Sequence, residues 1–541
     1  MSLRLSYAFN RSDMIPEQSS ALNDGPALLL KAKQDRITIY TKLFLALLAL
    51  IVVLFVAARL WNLASYNLWG DEIFSLTSAR MGWVDMIRRL ITDGAQAPVF
   101  YLMLKVWIAI GGESALWLRL LSVLISVTTL IPFFLLCREL KLGIAEMALA
   151  LLLISVNGYL IYYAQEIRPY CLLVLLTVCS LWLFVSFFNS VSSKSHLVAL
   201  VLVNTLLVYT HYFGWLVIAT ELLFLGFKKR QRLLPFAVTV GLTAVLFAPW
   251  AYAVLHRFKT RPRGVAQTLG WIPQPRASHL ISFFTLFTGQ PNFPGSRYLG
   301  LILFGGPFLL LTWHVSRNRD SAHGWPRSNI FWLLSLLSFL PVGIAFVWSQ
   351  ISEDSVWVDR YLIIIAVPLL LLVTIAFLAI RPYWLRILAV LILVIWAGLA
   401  GFKYDGYSAR TPWAPMVQQM MQAEPGNAKG INVYVYKRRL HVVPVRFYLG
   451  SANAGRRFRV AFADTIEEMA DEHFWVAGDL TLSSKEALVS GLVIRGYRVG
   501  EGFEAVTAGK KIFLFPVWLD DTSSRGSHTF ERSSSTLASI Q

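Results

Sequence analysis

The sequence predicts an α-helical polytopic membrane protein that ends in a small α/β domain. Of its 541 residues, 56% are hydrophobic and only 15% are charged, compared with about 25% charged in soluble domains. Apolar runs close to the roughly 20 residues of a membrane-spanning helix recur between residues 43 and 402. After residue 402 the apolar runs become short and alternating, which is typical of β-strands.

Eleven apolar runs are candidate transmembrane helices. They are 43–60, 116–136, 144–161, 170–188, 197–213, 214–227, 233–255, 298–315, 330–348, 361–380 and 385–402. The mixed-polarity stretch before the first run is too long for an ordinary cleaved signal peptide. We therefore expect 1–42 to be a cytoplasmic tail and the first run to remain as an anchor.

A twelfth apolar run, 98–110, decides the orientation of everything after it. If this short run does not cross, the Lys- and Arg-rich connections between the other runs all fall on one side, the cytoplasmic one. We therefore predict an interfacial helix within a first outer loop, 61–115. A second outer loop, 256–297, then contains no Asp or Glu. Its basic residues are Arg257, Lys259, Arg261, Arg263, Arg276 and Arg297.

Composition excludes some classes of function. The formal charge of +18 comes from Lys and Arg concentrated between the apolar runs, which indicates membrane topology rather than nucleic-acid binding. The three cysteines lie in or beside apolar runs and predict neither a disulfide framework nor a zinc cluster. No cofactor is certain from the sequence, and a divalent metal is left open.

The C-terminal part, 403–521, reads as a small α/β domain. Alternating runs at Ile431–Tyr436 and 511–515 predict strands, and 465–472 predicts a helix. Eleven crossings from a cytoplasmic N-terminus place this domain outside. The stretch 522–541 is rich in Ser, Thr and Arg and is predicted to be a disordered tail.

Two adjacent carboxylates, Asp71 and Glu72, follow the first apolar run on its outer side. A carboxylate in this place could deprotonate an acceptor hydroxyl, with its proton affinity tuned by burial and by nearby cations. Guanidinium groups bind phosphate bidentately, and several are expected at the same membrane depth. These are Arg59, Arg119, Arg168 and Arg360. The pattern favours a site for a phosphate or pyrophosphate headgroup.

Other readings of these residues stay open. Glu166 and Arg168 could form a local ion pair that ends a span, and His211 is more often a buried hydrogen-bonding residue than a metal ligand. Glu221 lies in the middle of a predicted span, where a protonated or paired structural role is preferred. A transporter or flippase for an anionic lipid would use the same arginines with a polar path through Glu221. A receptor or scaffold would explain only the C-terminal domain.

A series of short motifs carries a resemblance to a known family. In chain order they are Arg59-Leu60-Trp61-Asn62-Leu63, Trp69-Gly70-Asp71-Glu72, Pro98-Val99-Phe100-Tyr101, Arg119-Leu120, Gln165-Glu166-Ile167-Arg168-Pro169-Tyr170, Thr210-His211-Tyr212-Phe213-Gly214, Trp271-Ile272-Pro273 and Asp359-Arg360-Tyr361-Leu362. They resemble the C-type glycosyltransferase (GT-C) fold. The chain is similar to bacterial members of the protein O-mannosyltransferase and aminoarabinose transferase superfamily, including the group that decorates lipopolysaccharide.

The resemblance implies an inverting glycosyltransferase of the bacterial inner membrane, with its site and C-terminal domain in the periplasm. The donor would be a polyprenyl-phosphate sugar, and the acceptor lipopolysaccharide or lipid A, another polysaccharide, or protein. Asp71 would be the catalytic base, with Glu72 assisting. Expected substrate-binding residues are Arg59, Arg119, Glu166, Arg168, Tyr170, His211, Asp359, Arg360 and Tyr361. Gln96-Ala97-Pro98 replaces the family's common His-Pro-Pro, which leaves mannose, galacturonate and aminoarabinose donors open.

Overall fold

The computed structural model describes residues 24–190, 193–260, 272–288, 296–317, 327–402 and 412–520, apart from gaps at 425, 427–429, 438–440, 453, 456 and 508–509. Several predicted features lie outside these residues. They are most of the cytoplasmic tail (1–23), the part of the basic outer loop with Arg261 and Arg263, the aromatic residue Trp271, and the predicted disordered tail (522–541).

Helices dominate the described chain up to residue 402. In chain order they are α1 (Asp24–Leu60), α2 (Gly70–Arg80), α3 (Trp83–Asp93), α4 (Val99–Gly111), α5 (Ala115–Thr128), α6 (Leu130–Glu139), α7 (Ile144–Val156), α8 (Gly158–Ala164), α9 (Tyr170–Asn189), α10 (Lys194–Val208), α11 (Gly214–Lys228), α12 (Leu233–Thr260), α13 (Ala277–Thr288), α14 (Ser296–Arg317), α15 (Arg327–Ile351), α16 (Ala366–Leu378) and α17 (Tyr383–Phe402). A 3₁₀ helix, Asp359–Ile365, leads into α16.

Within the described ranges, six helical segments are long and apolar enough to cross a bilayer. They are Lys42–Leu60, Ala115–Glu139, Tyr170–Asn189, Arg230–Thr260, Ser328–Ile351 and Asp359–Leu378. The pair α7 and α8 supplies a seventh candidate if its two helices form one span. Apolar helices at Lys194–Val208, Tyr298–Thr312 and Tyr383–Leu399 are shorter. The protein is a multi-pass membrane protein, and the number of eleven crossings stays a prediction.

The first outer loop contains three helices where the sequence predicted one. The helix predicted at 98–110 forms as α4, preceded by α2 and α3, and its position in the membrane interface stays a prediction. Lys105 on α4 donates hydrogen bonds to carbonyls at the C-terminal end of α2, including that of Ala79 at 3.1 Å. Helices α2 and α4 are therefore joined directly.

Two predicted spans differ from the observed helices. The run 144–161 bends by 65° at Asn157, whose side chain accepts a hydrogen bond from the Leu160 amide at 2.9 Å and starts α8 as a new helix. The run 197–213 ends early, at Val208. The chain then turns tightly into α11 at Gly214, where a Cβ would lie 2.7 Å from the Leu207 side chain.

A buried polar cluster joins α9, α10 and α11. The Ser180 hydroxyl lies 2.7 Å from Asn204 Oδ1 and 3.3 Å from Glu221 Oε1, and all three side chains are fully buried. These contacts agree with the structural role preferred for Glu221.

The C-terminal domain contains a six-stranded mixed sheet in the order β2-β1-β3-β6-β4, with β5 also paired to β6. The strands are β1 (Ile431–Tyr436), β2 (Phe458–Ala463), β3 (His473–Leu480), β4 (Tyr497–Val499), β5 (Phe503–Thr507) and β6 (Lys510–Leu519). Its helices are α18 (Trp413–Ala423), α19 (Val442–Ser451) and α20 (Leu482–Ile494). Helices α18 and α19 cover one face of the sheet and α20 covers the other. The predicted α/β domain is confirmed.

The individual elements of this domain were predicted unevenly. The strand at Ile431–Tyr436 has the predicted bounds, and 511–515 lies within β6. The helix predicted at 465–472 is wrong, because only a 3₁₀ turn, Ile466–Glu468, forms there. The Glu468 carboxylate accepts a hydrogen bond from the Asp464 amide at 3.1 Å, and the chain enters β3 at His473 before a helix could extend.

Candidate functional site

Asp71 and Glu72 lie in the first turn of α2, where the helix dipole favours carboxylates. Consecutive residues of an α-helix point about 100° apart. Glu72 is turned into the protein and is fully buried, whereas the side chain of Asp71 is 30% exposed. The two adjacent carboxylates therefore have different surroundings.

Glu72 forms a buried bidentate ion pair with Arg119 on α5. Arg119 Nε and Nη2 donate to the two carboxylate oxygens at 3.0 and 2.9 Å, and neither side chain is exposed. The other Arg119 hydrogen bonds go to backbone carbonyls of the outer loop, including that of Tyr66 at 2.7 Å. The amide of Ile167 also donates to Glu72 at 3.3 Å. The pair therefore joins the first outer loop, α5 and the segment that contains Ile167.

Asp71 faces two guanidinium groups from distant parts of the chain. Its Oδ2 atom lies 3.4 Å from Arg360 Nη2 and 3.8 Å from Arg168 Nη2. Among the described residues, this buried oxygen has no hydrogen-bond partner. Arg168 and Arg360 are buried and one-fifth exposed, respectively. The geometry brings one carboxylate and two cations together at a partly open position.

Arg168 is held by two residues that the sequence did not predict. Its Nη1 donates to the Tyr101 hydroxyl at 3.1 Å, and its Nη2 donates to Gln96 Oε1 at 3.2 Å. The Tyr101 hydroxyl in turn donates to Gln96 Oε1 at 3.0 Å. Gln96 stands in the segment that departs from the family's His-Pro-Pro, and this departure was the available signal. In the described structure, Arg168 Nε makes no hydrogen bond.

Three aromatic residues border the two guanidinium groups. The His211 ring lies 4.7 Å from the Tyr361 ring and 6.4 Å from the Tyr170 ring, measured between centroids. Burial, with the charges of Arg168 and Arg360, lowers the pKa of His211 to about 3. Its Nδ1 accepts a hydrogen bond from the Phe213 amide at 3.2 Å. His211 is therefore neutral at physiological pH and carries its proton on Nε2.

This burial predicts an acid sensitivity. Below the ordinary histidine pKa of about 6.5, His211 binds a proton in the unfolded chain but stays neutral in the folded protein. The free energy of unfolding therefore decreases as the pH falls from about 6.5 toward the pKa of His211 in the folded protein. At pH 5.5 the loss amounts to about 1.4 kcal/mol relative to pH 7.5. His211→Gln lacks this loss. Thermal unfolding in detergent is therefore expected to show that its stability relative to wild type rises by this amount between pH 7.5 and pH 5.5. An unchanged difference between the two proteins would contradict the assignment.

Three other predicted residues, Arg59, Glu166 and Asp359, have contacts of their own. Hydrogen bonds from Arg59 reach Ser126 Oγ at 2.9 Å and the Ile154 carbonyl at 3.3 Å, so Arg59 joins α1 to α5 and α7. Glu166 is fully buried and adds negative charge near Arg168. The backbone carbonyl of Asp359 accepts a hydrogen bond from Tyr159 at 2.8 Å. The hydrogen bonds of Arg59 and Asp359 therefore join separate segments of the protein.

A further carboxylate, that of Asp93 at the end of α3, was not predicted. Burial raises its pKa, and the charges that act on it include Arg168, Asp71 and Arg89. Asp93 therefore belongs to the same electrostatic cluster. Asp93 belongs to none of the quoted motifs, and the sequence showed only that it is an acidic residue in the first outer loop.

The sequence left a metal site open. In the part of the chain that the structure describes, no group of three or more His, Cys, Asp or Glu side chains could hold a metal ion. The carboxylate of Asp71 faces the guanidinium groups of Arg168 and Arg360.

Comparisons with known proteins support the fold. No protein-family model and no curated protein sequence matches the chain. The crystal structure of ArnT from Cupriavidus metallidurans bound to undecaprenyl phosphate is similar, with a TM-score of 0.52 and 13% identity over 91% of this chain and 100% of that chain. The apo structure of the same protein gives a TM-score of 0.52 and 14% identity over 89% and 98%.

The archaeal oligosaccharyltransferase AglB from Archaeoglobus fulgidus, in complex with an inhibitory peptide and a dolichol-phosphate, matches with a TM-score of 0.49 and 11% identity over 88% of this chain and 74% of that chain. The likeness to the two ArnT structures shows that the chain shares their fold. The GT-C fold expected from the motifs is thereby confirmed.

Proposed function

We propose that this chain, which has the fold of the ArnT structures, is an inverting glycosyltransferase that uses a polyprenyl-phosphate sugar. The observation that carries the proposal is the placement of Asp71 Oδ2 at 3.4 and 3.8 Å from two guanidinium groups. A base beside a paired cationic site suits transfer from a lipid phosphate. The similar ArnT structure with bound undecaprenyl phosphate supports this class of donor.

The proposed reaction is a single displacement. Asp71 takes the proton of the acceptor hydroxyl while the acceptor oxygen attacks the anomeric carbon of the sugar. A new glycosidic C–O bond forms, and the bond between the sugar and the phosphate oxygen breaks with inversion. Polyprenyl phosphate leaves with the bonding electron pair. Because a phosphate is a good leaving group, one base suffices, unlike the two carboxylates of a glycosidase.

The cations would stabilise the charge that develops on the leaving phosphate. Arg168 and Arg360 face the position beside Asp71, and the Nε2 proton of His211 could donate a further hydrogen bond. An incoming phosphate would share these two cations with Asp71. Glu72 and Arg119 would hold this arrangement in place without contacting substrate.

The proposed setting is the inner membrane of a bacterium, with the N-terminus in the cytoplasm and the site in the periplasm. The distribution of Lys and Arg between the apolar runs supports this orientation. Lipopolysaccharide or lipid A, another polysaccharide, and protein are the acceptor classes. The enzyme would work with the lipid bilayer and not with nucleic acid.

A flippase for an anionic lipid is the alternative. It would need a polar path through the membrane domain, with binding near the midplane. The buried Glu221 instead hydrogen-bonds Ser180 within a cluster between three helices, which favours a structural role for it. The enzyme is therefore the better-supported proposal.

Sugar transfer by the purified protein in liposomes tests the proposal. Labelled polyprenyl-phosphate mannose, galacturonate and aminoarabinose are offered in turn with extracted cell-envelope acceptors. We expect one donor to lose its label to an acceptor. Movement of labelled lipid across the bilayer without any transfer would overturn the enzyme and support the flippase.

A further inference from the structure

The C-terminal domain contacts the helix that carries Asp71. Helix α19 packs against α2, and the Tyr448 hydroxyl donates a hydrogen bond to the Leu68 carbonyl at 2.8 Å. Leu68 lies three residues before Asp71. Tyr448 packs against the hydrophobic core of the membrane domain and also against the core on one face of the sheet. It is therefore a direct link between the two domains.

A second contact lies beside the first. The Arg80 guanidinium, in the last turn of α2, is 5.6 Å from the centroid of the Phe447 ring. Phe447 packs against the membrane-domain core as well. Adjacent residues of α19 thus reach the segment before α2 and the last turn of α2. This arrangement fixes the helix along its length rather than at one point.

The position of the Asp71 carboxylate depends on the backbone at the start of α2. In the described structure, its Oδ2 accepts no hydrogen bond, so no side-chain contact of that kind fixes its distance from Arg168 and Arg360. The start of α2 is held from inside by Glu72, whose Oε2 lies 3.4 Å from the Trp69 amide. Tyr448 holds it from outside. Misplacement of a reacting group by about 1 Å can cost 10²-fold in rate.

We propose that Tyr448 is a positioning residue for Asp71, so that the C-terminal domain forms part of the catalytic unit. The inference rests on the proposed function. Burial, with the nearby charge of Glu72, raises the pKa of Tyr448 to about 12. The hydroxyl therefore remains a donor throughout the physiological pH range.

Tyr448→Phe removes only the hydroxyl and tests the inference. We expect kcat for sugar transfer to fall by roughly 2- to 12-fold, the range expected for one hydrogen bond, with an unchanged KM for the donor. Hydrogen–deuterium exchange of the segment 66–80 is expected to rise in the same variant. This exchange readout does not depend on activity.

Tyr434→Phe is the matched control. Tyr434 lies on β1 of the same domain, and its hydroxyl donates to Asp471 Oδ2 at 2.6 Å. Tyr434→Phe therefore also removes one tyrosine hydrogen bond, but away from α2. We expect it to leave kcat and the exchange of 66–80 unchanged. Equal kcat in wild type and Tyr448→Phe would overturn the inference, and so would equal losses in the two variants. Wild type that transfers no sugar would instead overturn the proposed function, and the inference with it.

Discussion

Asp71→Asn is expected to lower sugar transfer by about 10²- to 10⁴-fold, the usual contribution of a general base. Asparagine has nearly the same shape but cannot take the acceptor proton. The fold should survive, because the Asp71 side chain is partly exposed and its Oδ2 accepts no hydrogen bond in the described structure. Donor binding should not weaken, since the substitution removes a negative charge from beside Arg168 and Arg360. Single-turnover transfer and binding of polyprenyl phosphate measure the two effects separately.

Asp85→Asn serves as the control for this experiment. Asp85 lies on α3 in the same outer loop, and its exposed side chain pairs only weakly with Arg88, at 3.5 Å. Its substitution should leave transfer within about twofold of wild type, because exposed pairs contribute little. A fully active Asp71→Asn protein would remove Asp71 from the mechanism.

Arg119→Leu is expected to destabilise the protein by about 3–5 kcal/mol, because it leaves the Glu72 carboxylate buried without its cation. It also removes the donors to the carbonyls of Leu63 and Tyr66. The thermal midpoint in detergent and the yield of folded protein measure the loss. The double variant Glu72→Leu with Arg119→Leu should recover part of it, since no buried charge then remains.

A surface pair gives the comparison. Arg80 and Glu113 form an ion pair in which the two side chains are 44% and 37% exposed. Glu113→Gln breaks this pair and leaves Arg80 beside Phe447, so it should cost only about 0–1 kcal/mol. Equal losses from Arg119→Leu and Glu113→Gln would show that the Glu72–Arg119 pair does not hold the outer loop together.

Local patterns predicted the elements well wherever one physical signal dominated. Long apolar runs predicted the membrane helices, and the alternation at Ile431–Tyr436 predicted a strand with its bounds. The helix prediction for 465–472 was wrong because its composition is typical of a helix, but β3 begins at His473 and leaves room only for a 3₁₀ turn. The break at Asn157 depends on one side-chain contact, which hydropathy does not register.

Sidedness and motif order predicted that Asp71, Arg168 and Arg360 lie close together, which the structure shows, but they did not predict the different surroundings of Asp71 and Glu72. Adjacency in sequence gave no sign that Glu72 turns inward to Arg119 while Asp71 faces outward. The support of Arg168 by Gln96 and Tyr101 brings together residues about seventy positions apart. The link from Tyr448 to Leu68 crosses 380 positions. Such contacts are set by tertiary packing, and no periodicity in a single sequence reports them.

The cluster of Ser180, Asn204 and Glu221 has a consequence for how the protein is made. A carboxylate in the middle of a short apolar helix opposes entry of that helix into lipid, by about 2.5–3.5 kcal/mol on insertion scales. In the described structure, Glu221 on α11 is hydrogen-bonded to Ser180 on α9, which is also hydrogen-bonded to Asn204 on α10. The three helices should therefore leave the translocon together as one unit. Biogenesis of this region would then proceed by cooperative release rather than helix by helix.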